Sequence, residues 1–94
     1  MYNYFLNKDA KEDLYRIYQC GVKTFGEIQA EYYYDLLLEE FKRIASNPFI
    51  FPDYQYKNYR YCVCKSNTIY FKLENDEVEI IAIIGKQNFE NRTL

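Results

Sequence analysis

The sequence predicts an α+β fold in which one antiparallel helical hairpin packs on one mainly antiparallel sheet, in the order β-α-α-β-β-β. Three observations predict it. Two long stretches carry apolar residues at helical spacing, three strand-like runs separated by turn residues follow them, and a short aromatic strand precedes them. A chain of 94 residues has room for one core, so we expect a single domain over residues 1–94.

The first two elements are a strand and a helix. Residues 2–6 are short and aromatic-rich, which is typical of a strand. Asn7 follows, and its side chain can accept a hydrogen bond from a free amide at the start of a helix. A helix is therefore predicted over 8–22, with one apolar stripe made of Ala10, Leu14, Ile17, Tyr18 and Gly21.

The second helix is predicted from a capping box and a long apolar stripe. Thr24 is followed three residues later by Glu27, a pattern that favours a helix starting near Phe25. Asn47-Pro48 ends it, because proline disfavours the helical conformation in the residue before it. The linker between the helices is very short, so they should form an antiparallel hairpin. The stripe consists of Ala30, Tyr34, Leu37, Phe41 and Ile44.

The second half of the chain predicts a loop, three strands and a tail. Residues 48–57 hold both prolines and predict an irregular loop held down by Phe49 and Phe51. Short polar turns separate the strands, so neighbouring strands should be antiparallel. The strands are predicted at residues 59–64, 68–73 and 77–84, and residues 86–94 form a polar tail.

Composition excludes several classes of function. The chain contains no His, which removes the commonest general base and the commonest zinc ligand, and we expect no metal and no cofactor. A net charge of −2 argues against direct sequence-specific binding of nucleic acid. No apolar run is long enough to span a membrane, so a cytoplasmic protein is expected. Cys62 and Cys64 share one strand face and are predicted to be reduced core residues.

Several ordered segments resemble one family of bacterial proteins. Residues 10–17 are similar to an A-x-x-D-L-x-x-I pattern in a first helix, and residues 25–33 to an aromatic-G-x-x-x-A-x-x-Y opening of a second helix. Further matches lie at residues 45–48, 59–61, 69–71 and 79–84. The ordered set, covering about residues 4–89, resembles the RelE/ParE superfamily of toxin–antitoxin toxins, and its ParE branch in particular.

The two branches of this superfamily imply different activities. Resemblance to ParE implies a toxin that is not an enzyme, inhibits DNA gyrase by stalling it on cut DNA, and is neutralised by a ParD-like antitoxin. Resemblance to RelE implies a ribosome-dependent mRNA endoribonuclease. In that alternative Arg60, Lys72 and Lys86 would contact phosphate. A third possibility is a degenerate member that retains only antitoxin binding.

The candidate target-binding residues are Arg60, Lys86 and Phe89, and no catalytic residue is assigned. Arg60 matches the strand arginine found in both branches, where it could reach a phosphate or a gyrase carboxylate, or pair with a helix acid such as Asp13. Asp13 itself is expected to be a solvated helix acid. RelE-like toxins place Tyr or His near Phe89, and the phenyl ring offers neither a proton nor a hydrogen bond.

The candidate antitoxin-binding residues are tyrosines. Consecutive helix positions point about 100° apart, so Tyr32, Tyr33 and Tyr34 cannot all face the core, and at least one must be exposed. Tyrosine is favoured at protein interfaces because it buries area and keeps a polar group. The candidates are Tyr18, Tyr32, Tyr33 and Tyr61. The expected docking surfaces are the exposed face of the hairpin and the free edge of the sheet.

Overall fold

The computed structural model describes residues 1–54 and 58–85, and it confirms the order β-α-α-β-β-β. One turn of 3₁₀ helix, Pro48–Ile50, follows the second long helix. The predicted tail at 86–94 lies outside the described residues. The helices and strands are β1 (Asn3–Leu6), α1 (Lys8–Phe25), α2 (Glu27–Ser46), β2 (Arg60–Cys64), β3 (Asn67–Glu74) and β4 (Glu77–Gly85).

The four strands form one mixed sheet in the order β1-β4-β3-β2. The consecutive strands β2, β3 and β4 are antiparallel neighbours, as the short turns predict. β1 is parallel to β4, and the connection between them is long: it comprises both helices, β2 and β3. In the turn between β3 and β4, Asn75 and Asp76 both have positive φ, at 56° and 59°. That conformation suits a tight hairpin and residues with short polar side chains.

The boundary between the two helices differs from the prediction. The side chain of Asn7 caps α1 as expected, since its Oδ1 accepts from the amide of Ala10 at 2.9 Å. The capping box at Thr24–Glu27 does not form: α1 continues through Phe25, and Thr24 lies inside it. Gly26, at φ 92° and ψ 167°, makes the reversal, and α2 begins without a side-chain cap. This combination of φ and ψ is accessible almost only to glycine, so the chain reverses at Gly26 without a capping side chain.

Of the two aromatic residues predicted to hold the loop after α2, Phe51 is buried and Phe49 is exposed. The ring of Phe51 is buried and meets the ring of Phe71 edge-on, with centroids 5.7 Å apart. Phe49 remains 59% exposed, although its ring lies 6.4 Å from that of Tyr2. The prediction for Phe51 is confirmed, whereas Phe49 lies mostly at the surface and makes its ring contact there without entering the core.

A bulge in β4 decides which residues reach the core. The register between β3 and β4 shifts at Ile81, which has no partner in β3. An inserted residue reverses the faces on which the following side chains lie. Val78 and Ile80 pack under the helices before the bulge, and Ile83 does so after it. A smaller buried cluster lies on the opposite face of the sheet, formed by Tyr70, Ala82 and Ile84.

The main core lies between the helical hairpin and the sheet. α2 contributes its three fully buried large side chains, Leu37, Phe41 and Ile44. The two helices pack tightly at Gly21, where an added Cβ would lie 3.3 Å from the Cβ of Ala30. Both are stripe residues predicted from the sequence, and their small size permits the tight crossing.

Candidate functional site

A groove of about 760 Å³ lies beneath the tip of the helical hairpin, at the end of the sheet. Its deep residues are apolar and include Leu14, Ile17 and Ile83. We call it the hairpin groove. Its rim is formed by α1, α2 and the turn between β2 and β3, and includes Arg16, Cys20, Tyr32, Tyr33, Lys65 and Asn67.

Tyr33 ties the tip of the hairpin to the sheet. Its hydroxyl donates to the carbonyl oxygen of Cys64 at 3.0 Å and accepts from Nδ2 of Asn67 at 2.7 Å. Burial raises the pKa of this phenol, so it remains protonated and able to donate. An added Cβ on Gly85 would lie 3.3 Å from Oδ1 of Asn67. Tyr33 therefore shapes the groove in addition to lining it, a role that its sequence position alone did not indicate.

The structure brings together three of the four candidate antitoxin-binding tyrosines. Tyr18, Tyr32 and Tyr33 all line the hairpin groove, and Tyr32 is 69% exposed, as expected for at least one of the three consecutive tyrosines. Tyr61 lies elsewhere: it is on the face of the sheet opposite the helices, with its ring centroid 6.4 Å from that of Tyr70. The groove therefore unites three of the four candidates and leaves Tyr61 apart.

The expected free edge of the sheet at β2 is partly occupied. The segment before β2 turns back along it, and the amide of Tyr61 donates to the carbonyl of Pro52 at 3.1 Å. Asp53 and Arg60 form an isolated antiparallel bridge. Strand addition is therefore blocked at the start of β2, and only its far end, near the exposed Val63, is open to a partner.

Asp13 is not the solvated helix acid that the sequence suggested. Its side chain is 3% exposed, and Oδ2 accepts from the backbone amide of Ile83 at 3.0 Å. Oδ1 is 2.9 Å from Nη2 of Arg16. A buried carboxylate requires such partners, because desolvation without them is very unfavourable. The signal for this role was present: Asp13 flanks the apolar stripe of α1.

Arg60 interacts with the loop before β2, and not with Asp13. Its Nη1 donates to the carbonyl of Phe51 at 2.8 Å and lies 3.2 Å from Oδ1 of Asp53. The guanidinium carbon is 5.6 Å from the centroid of the Phe49 ring. These contacts hold the loop against the sheet. A role in binding the target stays a prediction.

The two cations of the nuclease alternative that the structure describes, Arg60 and Lys72, do not converge. Arg60 pairs with Phe71, so it shares the face of the sheet that the helices cover. Lys72 is the next residue of β3 and points to the other face, where its Nζ lies 3.7 Å from Glu79 and 3.8 Å from Glu74. Lys86, like the gyrase candidate Phe89, lies outside the described residues.

The three cysteines are free thiols in two environments. Cys62 and Cys64 are buried core residues on one face of β2, as predicted, whereas Cys20 is exposed at the hairpin groove. Burial, reinforced by the charge of Glu40, raises the pKa of Cys62 to about 12. Within residues 1–54 and 58–85, no cluster of three or more Cys, Asp or Glu side chains is arranged to hold a metal ion.

Comparison with known proteins identifies the family. The family model described as the ParE toxin of the type II toxin–antitoxin system parDE matches residues 4–88. The chain belongs to the ParE toxin family. The resemblance inferred from the sequence is thereby confirmed. No curated protein matches the chain.

A solved structure supports the ParE fold. The chain is similar to a structure described as the chromosomal ParDE TA system from P. aeruginosa, with a TM-score of 0.81 and 18% sequence identity. The match covers 90% of this chain and 96% of that one. Neither helix in the described part of the chain is long and apolar enough to cross a membrane. This ParE-family toxin is therefore an α+β protein of a type II toxin–antitoxin system.

Proposed function

We propose that this ParE-family toxin acts by protein contact on DNA gyrase, stalling the enzyme on cut DNA, and that it works in the bacterial cytoplasm. The observation that carries the proposal is the match of residues 4–88 to the ParE toxin model. Two features of the chain support a mode of action without catalysis. The sequence contains no His, and the described cations of the nuclease alternative, Arg60 and Lys72, point to opposite faces of the sheet.

We further propose that a ParD-like antitoxin neutralises the toxin by covering the hairpin groove. The floor of the groove is apolar, and exposed aromatic side chains line its rim. They are Phe25, which is 72% exposed, and Tyr32 on α2, which is 69% exposed. Exposed aromatic residues around an apolar groove favour a protein partner over a solvated surface. The bridge between Asp53 and Arg60 already occupies the start of β2, so the groove is a better docking surface than that part of the sheet edge.

A gyrase assay tests the proposal. Purified toxin is added to DNA gyrase with relaxed plasmid and ATP, and both supercoiling and cleaved DNA are measured. We expect supercoiling to fall and cleaved DNA to accumulate. Toxin mixed beforehand with an excess of antitoxin is the control, and it should leave gyrase active.

A second assay separates the two branches of the superfamily. The same toxin is added to ribosomes translating a defined mRNA, and the message is mapped for new ends. Active gyrase together with cleaved mRNA would overturn the proposal and assign the toxin to a nuclease mechanism. Active gyrase together with intact mRNA would exclude both targets.

A further inference from the structure

The charges that line the hairpin groove all have one sign. Arg16 and Lys65 are the charged side chains among the lining residues that the structure describes, and no carboxylate is among them. The chain as a whole is acidic, with 14 Asp and Glu against 12 Lys and Arg. The cationic rim is therefore a local property of the groove and does not follow from overall composition.

The two cations differ in how far they are already engaged. Arg16 pairs with the buried Asp13, but its side chain is 52% exposed, which leaves donors of the guanidinium facing the groove. Lys65 is exposed in the turn between β2 and β3, and within the described residues no carboxylate lies in ion-pair distance of it. Lys65 thus offers a full positive charge to a partner.

The side of the hairpin next to the groove has the opposite charge, and the two surfaces meet at Tyr18 and Tyr34. Glu27, Glu31 and Asp35 are spaced four residues apart along α2, so they lie in one row. Glu31 and Asp35 border a small furrow between the helices, together with Tyr18 and Tyr34. A partner that covered both surfaces with one kind of charge would be repelled on one of them. Charge therefore selects the side of the hairpin on which a partner binds.

We infer that the hairpin groove binds an acidic amphipathic segment of the antitoxin, whose apolar side chains enter the groove while its Asp or Glu side chains meet Lys65 and Arg16. This inference rests on the proposed neutralisation by an antitoxin and adds the chemistry of the segment that binds. The apolar floor supplies burial, and the two cations supply orientation and selectivity.

Cys20 provides a direct readout of occupancy. It is exposed at the groove, whereas Cys62 and Cys64 are buried and burial raises the pKa of each. A maleimide should therefore label Cys20 selectively in the folded toxin. A segment seated in the groove covers this thiol, and one bound on the acidic side of the hairpin leaves it open.

The test uses the full toxin and the purified product of the antitoxin reading frame beside its gene. Dissociation constants are measured for wild type, Lys65→Gln and Lys65→Glu. Lys11→Glu, the same charge change at an exposed position of α1 away from the groove, is the matched control. We expect a graded loss, reaching about tenfold for Lys65→Glu and falling with added salt, with less than about twofold for Lys11→Glu. Cys20 should be protected from maleimide in the complex.

Three results would overturn the inference, and they differ in whether the proposed neutralisation survives. A complex that forms with unchanged affinity for Lys65→Glu and with Cys20 still reactive overturns the acidic-segment inference but upholds neutralisation. Tighter binding by Lys65→Glu shows that the partner segment is basic, and this also overturns the inference. Failure of any complex to form removes the proposed neutralisation and the inference with it. Circular dichroism of each variant verifies that it is folded.

Discussion

The carboxylate of Asp13 accepts a hydrogen bond from the backbone amide of Ile83 at 3.0 Å and so joins α1 to β4 across 70 positions of the sequence. β1 pairs with β4 only as far as Ile80, so no residue of β1 lies opposite Ile83. The Asp13 side chain of α1 therefore supplies the hydrogen-bond acceptor that β1 does not provide for the amide of Ile83. This contact lies just after the bulge, in the part of β4 that leads to the hairpin groove.

We expect Asp13→Ala to destabilise the toxin by about 3 kcal/mol, because it leaves the buried amide of Ile83 without its acceptor and removes the partner of Arg16. Asp13→Asn, which keeps one oxygen acceptor, should lose less. Urea unfolding measures both. Glu12→Ala, at the exposed neighbouring position, is the control and should change stability by less than about 0.5 kcal/mol. Equal effects at positions 12 and 13 would contradict the role given to Asp13.

Tyr33 and Tyr32 offer the same substitution in two environments. Tyr33→Phe removes the hydroxyl that joins α2 to Cys64 and Asn67, and we expect a loss of about 1–2 kcal/mol in the free energy of unfolding. Tyr32→Phe removes an exposed hydroxyl and should be nearly neutral. Thermal unfolding of the two variants compares them. A neutral Tyr33→Phe would show that the hairpin tip is held by apolar packing alone.

The reversal between the helices depends on Gly26. Its φ of 92° with ψ of 167° belongs to a region that is accessible almost only to glycine, so Gly26→Ala should destabilise the toxin by about 1–3 kcal/mol, although nothing lies within 4 Å of the added Cβ. Thr24→Ala should have little effect, since Thr24 lies inside α1 and does not act as a cap. If Thr24→Ala proved the more damaging change in a denaturant titration, the sequence-based capping box would be correct after all.

Stability should fall in alkaline solution because of the buried thiols. The pKa of Cys62 rises from 9.0 to about 12 in the folded toxin, so between these values the unfolded chain loses a proton that the folded protein keeps. The stabilisation is complete below pH 9 and is lost as pH rises toward about 12. Burial also raises the pKa of Cys64, Tyr33 and Tyr70, and they act in the same direction.

Two alanine variants isolate the contribution of Cys62. In Cys62→Ala the fall of unfolding free energy with pH should be shallower than in the wild type, whatever the change in absolute stability. Cys20→Ala, the same substitution at an exposed cysteine, should leave the slope as it is. Parallel curves for Cys62→Ala and wild type, measured by urea unfolding from pH 8 upward, would exclude the thiol as a cause.

Much of the candidate site was predictable because its residues lie on helices with regular spacing. Tyr18, Tyr32 and Tyr33 line one groove, since α1 and α2 form the expected hairpin. That an antitoxin binds them stays a prediction. Tyr61 was grouped with them by residue type alone. The β2 strand places it on the other face of the sheet, and strand periodicity does not say which face a helical hairpin will cover.

The sequence by itself determined the order of the elements, the two helical stripes, the cap at Asn7, the turns and the core position of Cys62 and Cys64. These features depend on residues close together in the chain, where backbone propensity and apolar periodicity act directly. Only the tertiary structure decided that Asp13 is buried, that Arg60 holds the loop before β2, and that Tyr33 joins the hairpin to the sheet. Their partners are decided by how helix, loop and sheet pack, and for Asp13 and Tyr33 they lie 70 and 31–34 positions away. A polar side chain is buried only where packing brings it the hydrogen bonds that replace water.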